Sequence, residues 1–287
     1  MISRSHHRFS DSKTNNRYSV AIKTVTPPTK SFKDKKPLTK ALRVLDVYNP
    51  HIVVLLAEIF QSRVHRLVFP WPQGTLRDLW AMRGDKIAKD FKLERGSLEL
   101  KRWFFEQCLG LAKALLQMHK LSYAHGRIRP ENIFWYYEKY LLAPRLLGSL
   151  KIFDDVVDAI PANKEALEND VWALGCVFLE FIAWYIRGPG AVDTPEPNQV
   201  VPQDPAPDKM FMQLSTLRSG WFAGPKELLV IDLLKEKYDE VISYGRSEQD
   251  LRMFLEFILD SMVTPPGSKP AECDAIVRAL AQLTSDI

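Results

Sequence analysis

The chain has 287 residues, of which 46% are hydrophobic and 26% are charged, and its formal net charge at pH 7 is +4. This composition is ordinary for a globular protein and excludes a wholly disordered chain, which could not bury enough apolar surface to fold. The three cysteines, Cys108, Cys176 and Cys273, are odd in number and far apart. Their spacing argues against a disulfide scaffold or a CxxC zinc site and favours a reducing compartment.

Positive charge is concentrated at the N-terminal end. Residues 1–43 carry eleven Lys and Arg against Asp11 and Asp34. Such an arm can contact nucleic acid, an acidic protein or anionic lipid. Few aromatic residues interleave these charges, although stacking on nucleic-acid bases would require them. We therefore predict a basic leader, disordered over residues 1–17, and no specific nucleic-acid partner.

No segment of the sequence has the pattern of a membrane-inserted element. Residues 1–16 are polar and basic and contain no apolar core of a signal peptide. The longest apolar stretch, residues 171–186, is shorter than the roughly 20 residues that cross a bilayer, and it contains Glu180. We expect no membrane span and an intracellular protein, cytoplasmic or nuclear.

The first 70 residues are predicted to be rich in strands. Apolar and polar residues alternate over residues 18–26, which predicts a strand, and β-rich runs over 51–60 and 64–69 predict a hairpin. A short helix is predicted over residues 38–45, because their apolar side chains fall on one face. Two prolines around Trp71 form a stiff connector, which we interpret as a domain boundary.

The remainder of the chain is predicted to be mainly helical. Apolar residues recur every three or four positions over residues 100–118, which predicts a long amphipathic helix. Residues 171–186 are apolar on nearly all sides and predict a buried central helix. Residues 188–207 are rich in proline and predict a loop. Further helices are predicted over residues 228–234, 251–262 and 271–283.

The most specific string in the chain is His125–Ile133, which has the sequence H-G-R-I-R-P-E-N-I. It resembles the catalytic loop of eukaryotic Ser/Thr protein kinases, H-R-D-L-K-P-E-N-I, and it follows a predicted long helix as the kinase loop does. Further strings resemble kinase segments in the correct order. They are V-A-I-K at 20–23, N-P-H-I-V at 49–53, L-V-F-P-W at 67–71, L-K-I-F-D at 150–154 and N-D-V-W-A-L-G-C-V at 169–177. The L-V-F-P-W string is similar to the hinge of a group of fungal kinase-like proteins.

The resemblance covers about residues 18–280. It implies a bilobal protein kinase-like fold of the α+β class, with a truncated β-rich N-lobe and a mainly helical C-lobe. The predicted boundaries are a leader over 1–17, an N-lobe over 18–70 and a C-lobe over 71–287.

The resemblance also implies ATP and Mg²⁺ as cofactors. By analogy with the kinase motifs, Lys23 would pair with the nucleotide phosphates, and Asn132 and Asp154 would hold the metal. Asp170 would brace the catalytic loop through its backbone amides.

Several parts that phosphoryl transfer needs are altered in this sequence. No glycine occurs before Gly74, so the glycine-rich loop that approaches the phosphates is missing. Residues 38–45 contain no acid that could pair with Lys23. The catalytic aspartate position holds Arg127, which stays protonated and cannot act as a general base. We therefore expect ATP and Mg²⁺ binding to be weak or absent.

The segment after the catalytic loop is altered as well. Asp154-Asp155-Val156 stands where D-F-G belongs, and only 15 residues separate Asp154 from Asp170. This is too short for the activation segment and substrate platform that the family implies. No A-P-E occurs, and Lys269 stands at the position of its arginine partner.

The sequence therefore predicts a catalytically impaired pseudokinase that acts as a binding or scaffolding module for a protein partner. One alternative is a divergent, active ATP-dependent Ser/Thr protein kinase, with Asp155 as the nearest substitute acid. Another is a decayed or truncated kinase gene product, because both missing parts look like contiguous deletions.

Overall fold

The computed structural model describes strands and helices on both sides of the His125–Ile133 string. The described residues are 5–10, 17–25, 49–53, 55–61, 64–82, 96–126, 128–138, 141–146, 163–188, 249–264, 268–285 and 287. They form a mixed α+β protein with two small antiparallel sheets and a larger group of helices. The predicted helices over 38–45 and 228–234 and most of the predicted loop over 188–207 lie outside the described residues.

The first sheet has four strands in the order β1-β2-β4-β3. Its strands are β1 (Ser5–Ser10), β2 (Arg17–Val25), β3 (Ala57–Gln61) and β4 (Val64–Pro70). The strand predicted over 18–26 and the hairpin strand over 64–69 are confirmed as β2 and β4. β3 begins later than predicted, because residues 49–52 form a turn in which Ile52 N donates to Asn49 O at 3.2 Å.

The prediction of an irregular leader over residues 1–17 is wrong for Ser5–Ser10. These residues form β1, which pairs antiparallel with β2 from Ser5 opposite Ile22 to Ser10 opposite Arg17. The sequence S-H-H-R-F-S shows little apolar alternation, so its own pattern gives no strand signal. The free edge of β2 supplies the hydrogen-bonding groups that the local pattern cannot reveal.

The second sheet was not predicted. It has the order β5-β6-β7 and consists of β5 (Gly74–Thr75), β6 (Ile133–Glu138) and β7 (Leu141–Leu146). β7 is an edge strand and carries Pro144, which lacks the N–H that a central strand would need. Continuous apolar runs such as I-F-W-Y-Y do not distinguish a strand from a buried helix by periodicity.

The described part of the helical body consists of five helices and one 3₁₀ turn. They are α1 (Leu76–Ala81), α2 (Leu98–Lys120), the 3₁₀ turn Pro130–Asn132, α3 (Lys164–Arg187), α4 (Gln249–Ser261) and α5 (Cys273–Ser285). The helices predicted over 100–118, 171–186, 251–262 and 271–283 are confirmed, with boundaries shifted by a few residues. Side-chain oxygens cap two of the long helices: Ser97 accepts from Leu100 N at 3.1 Å and Asn163 accepts from Ala166 N at 2.7 Å.

The core of the helical body is continuous and rich in aromatic rings. The ring of Phe104 on α2 lies 4.7 Å from that of Phe181 and 5.1 Å from that of Tyr185, both on α3. Trp172 and Phe178 are 3% and 0% exposed, as expected for a central helix. Among the described helices, residues 164–186 alone are long and apolar enough to cross a membrane, and 78% of their most apolar window is buried inside the protein.

Among the described residues, the four-stranded sheet contacts the rest of the protein through residues 52–53 and through β6. Ile52 belongs to the helical core whereas its neighbour Val53 packs with Leu67 of the sheet. Phe134 and Tyr136 of β6 join the same sheet cluster. A cavity opens between these two contacts.

Candidate ligand-binding cleft

A cavity of about 500 Å³ lies between the four-stranded sheet, β6 and the connector that follows β4. Its volume falls within the range of small-molecule sites. Its lining is mainly apolar and aromatic with a few polar groups. The lining residues are Ala21, Ile22, Lys23, Val53, Phe69, Pro70, Trp71, Pro72, Gln73, Gly74, Thr75, Asp78, Asn132, Phe134 and Tyr136.

Lys23 reaches the cavity from β2 and is only 6% exposed. The register places Ala21 opposite Phe69 and Lys23 opposite Leu67. Residues directly opposite each other share a face of the sheet, so Ala21, Lys23 and Phe69 all face the cavity side. The result is a buried ammonium group in a mostly apolar wall.

Asn132 reaches the same cavity from the opposite side. It is the last residue of the 3₁₀ turn Pro130–Asn132, and its backbone N donates to Arg129 O at 2.9 Å. Pro130 begins the turn, where a missing N–H has no cost. The structure therefore brings together two of the predicted site residues, Lys23 and Asn132, from distant parts of the sequence.

The other two predicted site positions, Arg127 and Asp154, lie outside the described residues, as does Asp155. Within the described part of the chain, no group of three or more His, Cys, Asp or Glu could hold a metal ion. Asn132 offers one amide oxygen, whereas Mg²⁺ is bound through one or two carboxylates. Of the implied metal ligands, the described residues supply only this amide.

The carboxylate of Asp170 on α3 binds the start of the loop that leads to Asn132. Its Oδ2 accepts from His125 N at 2.6 Å and its Oδ1 accepts from Gly126 N at 2.7 Å. These two hydrogen bonds are the ones that the resemblance implies for Asp170. Gly126 has φ +71°, a left-handed conformation in which glycine is unstrained. The loop that leads to Asn132 is thus fixed at its start by α3.

Sequence reasoning missed the third partner of Asp170. His119, in the last turn of α2, places Nε2 3.2 Å from Asp170 Oδ2. Its side chain is 10% exposed and that of Asp170 is 2% exposed. A basic residue at the end of a helix is common for reasons of the helix dipole, so the sequence offered no specific signal for this contact.

A chain of charges joins the 3₁₀ turn to α1 and α3. Arg77 on α1 lies 2.9 Å from Glu180 Oε2 and 3.3 Å from Glu131 Oε1, while Arg129 Nε donates to Glu131 Oε2 at 2.8 Å. Glu180, which interrupts the apolar run of α3, therefore has a buried cationic partner. Burial alone would raise the pKa of Glu131, but the hydrogen bond and charge of Arg129, with the charge of Arg77, hold it below its ordinary value.

Gly74 and Thr75 form the mouth of the cleft beside α1. Thr75 N and Thr75 Oγ1 both donate to Asp78 Oδ2, at 2.7 and 2.8 Å, and Asp78 N donates back to Thr75 Oγ1 at 3.2 Å. A Cβ on Gly74 would lie 2.9 Å from Trp135 Nε1 and 3.0 Å from Asp78 Cβ. The close approach of these side chains explains why a glycine stands here.

The connector Pro70–Gln73 forms one wall of the cleft, and its backbone donors are all used or missing. Pro70 and Pro72 have no N–H. Trp71 N donates to Ser19 O at 3.3 Å, and Gln73 N donates to Trp135 O at 3.2 Å. The hydroxyl of Tyr136 donates to Pro70 O at 3.5 Å. Each backbone N–H of residues 70–73 is therefore either bonded to a carbonyl oxygen or absent because the residue is proline.

The three cysteines lie away from the cleft as buried free thiols. Burial raises the pKa of Cys108 well above its ordinary value. Burial, with the charges of Asp170 and Asp274, raises the pKa of Cys273 to about 12. The thiols of Cys108 and Cys273 are therefore poor nucleophiles.

A scan against protein-family models and a search of the curated proteins found no match to this chain. What the protein does must therefore be inferred from the chemistry of the cleft and of the Asp170 contacts.

Proposed function

We propose that this chain is a protein kinase-like domain of the fungal type that transfers no phosphate and acts inside the cell as a binding or scaffolding module for a partner protein. The observation that carries this proposal is the pair of hydrogen bonds from His125 N and Gly126 N to Asp170.

These hydrogen bonds matter because they join two strings that resemble kinase motifs independently. One string begins at His125 and the other surrounds Asp170. Two chance resemblances would have no reason to meet through the particular contact that the family implies. The buried position of Asp170, 1% exposed, makes the contact specific, because an unpaired carboxylate there would be costly.

The cleft adds a second line of support. Lys23 belongs to the V-A-I-K string and Asn132 to the His125–Ile133 string, and both line one cavity. Their common position is the arrangement that a kinase-like nucleotide cleft would require of these residues.

The proposal excludes catalysis on chemical grounds. A protein kinase needs a carboxylate that accepts the substrate hydroxyl proton, and Arg127 stands at that position in the sequence. The guanidinium stays protonated at any physiological pH and would repel a divalent cation. The absence of glycine before Gly74 removes a further part of the phosphate site. The scaffold residues remain, while the catalytic aspartate is replaced and the glycine-rich loop is missing.

An intracellular location follows from the cysteines within the same proposal. All three are buried free thiols, which persist in a reducing compartment.

A phosphotransfer assay on the full chain tests the proposal. Radiolabelled ATP with Mg²⁺ should give no incorporation into the protein itself or into a generic Ser/Thr substrate, while an active kinase assayed in parallel labels the substrate. Incorporation that disappears in Lys23→Ala but persists in Lys101→Ala would establish the divergent active kinase instead. Lys101 is the matched control because it pairs with Asp250 at 2.5 Å, away from the cleft.

A second measurement tests the alternative hypothesis that the chain is a decayed or truncated gene product. Transcript sequencing across the codons for residues 151–170 should show a single message without further coding sequence. A transcript that carries an inserted segment of activation-loop length would contradict the proposal, because the natural protein would then have the substrate platform.

A further inference from the structure

We propose that the β3 edge of the four-stranded sheet, formed by Leu56, Ile59, Phe60 and Arg66, binds an extended segment of the partner protein that carries apolar side chains and a carboxylate. This inference rests on the proposed function, since it names the surface and the kind of segment through which a binding module would hold its partner. It comes from three exposed apolar side chains and from the position of one guanidinium group.

Exposed apolar surface is concentrated at the β3 edge. In the part of the chain that the structure describes, six large apolar side chains are exposed, and three of them lie in β3 or directly before it. Leu56 is 52% exposed, Ile59 37% and Phe60 63%. The other three lie singly on the helical body, one at each end of α2 and one on α4. Single exposed apolar residues need no explanation, whereas a group of them marks an interaction surface.

The position of β3 in the sheet favours an extended partner segment. The strand order β1-β2-β4-β3 makes β3 an edge strand, and its sequence A-E-I-F-Q has none of the Lys or Pro residues that often protect such edges. Successive side chains of a strand point to opposite faces, so Ile59 and Phe60 are exposed on different faces. A segment that lies along β3 as a further strand contacts both faces, whereas a helix packed on one face would reach only one of them.

Arg66 supplies the charge that the partner segment must match. It lies on β4 directly opposite Ile59, so the two side chains share a face of the sheet. Its Nη1 donates to Gln61 Oε1 at 2.9 Å, which draws the guanidinium toward β3. Gln61 is neutral, and within the described ranges no carboxylate forms an ion pair with Arg66. Glu58, the only acid of β3, is half-buried and points to the opposite face by the alternation of the strand.

The guanidinium keeps N–H donors for a partner. An arginine has five N–H groups in a planar fork, and the hydrogen bond to Gln61 uses one of them. A carboxylate can accept two parallel hydrogen bonds from such a fork, and these charge-assisted bonds are stronger than neutral ones. An acid on a strand next to β3, placed beside Ile59 and flanked by apolar residues at alternate positions, therefore matches the β3 edge in charge, hydrogen bonding and apolar surface.

A selection of phage-displayed random peptides on the immobilised full chain tests the inference. The selected peptides should contain Asp or Glu with apolar residues at alternate positions around it. A synthetic copy of a selected peptide, titrated by fluorescence anisotropy, should bind Arg66→Gln and Ile59→Ser at least about tenfold more weakly than the unchanged chain. Arg252→Gln should bind it unchanged, because Arg252 is an exposed arginine on α4 that pairs with Glu256. Melting temperatures show that each variant is folded, and Phe60→Ser replaces Ile59→Ser if the latter is not.

Four results would overturn the inference. Selection of no peptide would show that the β3 edge does not bind an extended segment. Selection of basic peptides would show that Arg66 does not set the charge. Equal binding to Arg66→Gln and to the unchanged chain would place the peptide elsewhere. Self-association in sedimentation equilibrium that Ile59→Ser abolishes would assign the surface to a second copy of this chain.

These outcomes are separable from the proposed function. Phosphotransfer would overturn the proposed function without bearing on what the β3 edge binds. Peptide binding that ignores Arg66, in a chain that transfers no phosphate, would overturn only the assignment of this surface.

Discussion

The helical body and the four-stranded sheet bury their apolar residues in different ways. In the helical body a single cluster runs from α1 through α5 and includes Phe104, Phe181 and Phe254 with ring contacts between 4.7 and 6.2 Å. The sheet has two small clusters on its opposite faces. The larger of these is completed by Phe134 and Tyr136, which belong to β6.

The difference shows which region can stand alone. The sheet exposes Leu56 (52%) and Phe60 (63%) at its β3 edge, and one of its faces depends on residues from outside the sheet. In the described helices most large apolar side chains belong to one core, although Leu98 and Met253 are exposed. We infer that the helical body determines stability and that the sheet contributes mainly one wall of the cleft.

Two Phe→Ala substitutions, one in each region, test most directly whether the helical body contributes more to stability than the sheet. Phe104→Ala, in the helical core at 0% exposure, should lower the free energy of unfolding by about 3–5 kcal/mol, because it removes a large ring and leaves a cavity. Phe60→Ala on the sheet edge should change it by only about 0.5 kcal/mol. Urea denaturation of both variants measures the two values, and equal losses would mean that the sheet shares the main core.

Removal of the Asp170 carboxylate should give the second-largest loss of stability. Asp170→Asn keeps the shape but replaces one charged acceptor by an amide donor facing a backbone N–H, so the free energy of unfolding should fall by about 2 kcal/mol. Asp250→Asn is the control, because its ion pair with Lys101 is only partly buried, with side chains 26% and 17% exposed, and should contribute about 1 kcal/mol. If the two variants lose the same stability, the Asp170 contacts do not fix the loop to α3.

The contact between residues 49–53 and α2 can be tested through Gly110. A Cβ on Gly110 would overlap the imidazole ring of His51. Gly110→Ala should therefore destabilise by about 1 kcal/mol, since overpacking costs about 1–3 kcal/mol and better helix propensity returns about 1 kcal/mol.

The effect of Gly110→Ala on the free energy of unfolding should change sign when the imidazole ring of His51 is removed. In a His51→Ala background, Gly110→Ala should raise the free energy of unfolding, because only the propensity gain is left. A double-mutant cycle by urea denaturation measures the coupling. If the two substitutions show no coupling energy, His51 is not closely packed against Gly110 of α2.

The smallest effect concerns the pH dependence of stability at Glu131. Because the folded-state pKa of Glu131 is lowered, its contribution is present above the pKa of the unfolded chain, near 4.5, and is lost as pH falls through the folded-state pKa. The melting temperature of Glu131→Gln should therefore approach that of the unchanged protein below about pH 4 and fall behind it above about pH 5. A constant difference across this range would mean that the charge of Glu131 is not what Arg77 and Arg129 bind.

The sequence predicted best the elements whose signal is local. The helical periodicity over residues 100–118 and the apolar run over 171–186 became α2 and α3 with small shifts in their ends. The kinase-like strings also predicted the hydrogen bonds of Asp170, although no periodicity could have revealed them. The same strings predicted Lys23 and Asn132 as site residues, and both residues line one cavity in the structure.

The tertiary structure decided what depends on a partner far away in the chain. β1 is a strand because β2 offers a free edge, and β7 tolerates Pro144 because it is itself an edge. The same holds for His119, whose partner Asp170 lies on another helix, and for the cation that faces Glu180 in an apolar core. The connector Pro70–Gln73 is a further case. The sequence shows two prolines, but only the fold shows that the two remaining N–H groups are bonded to Ser19 O and Trp135 O.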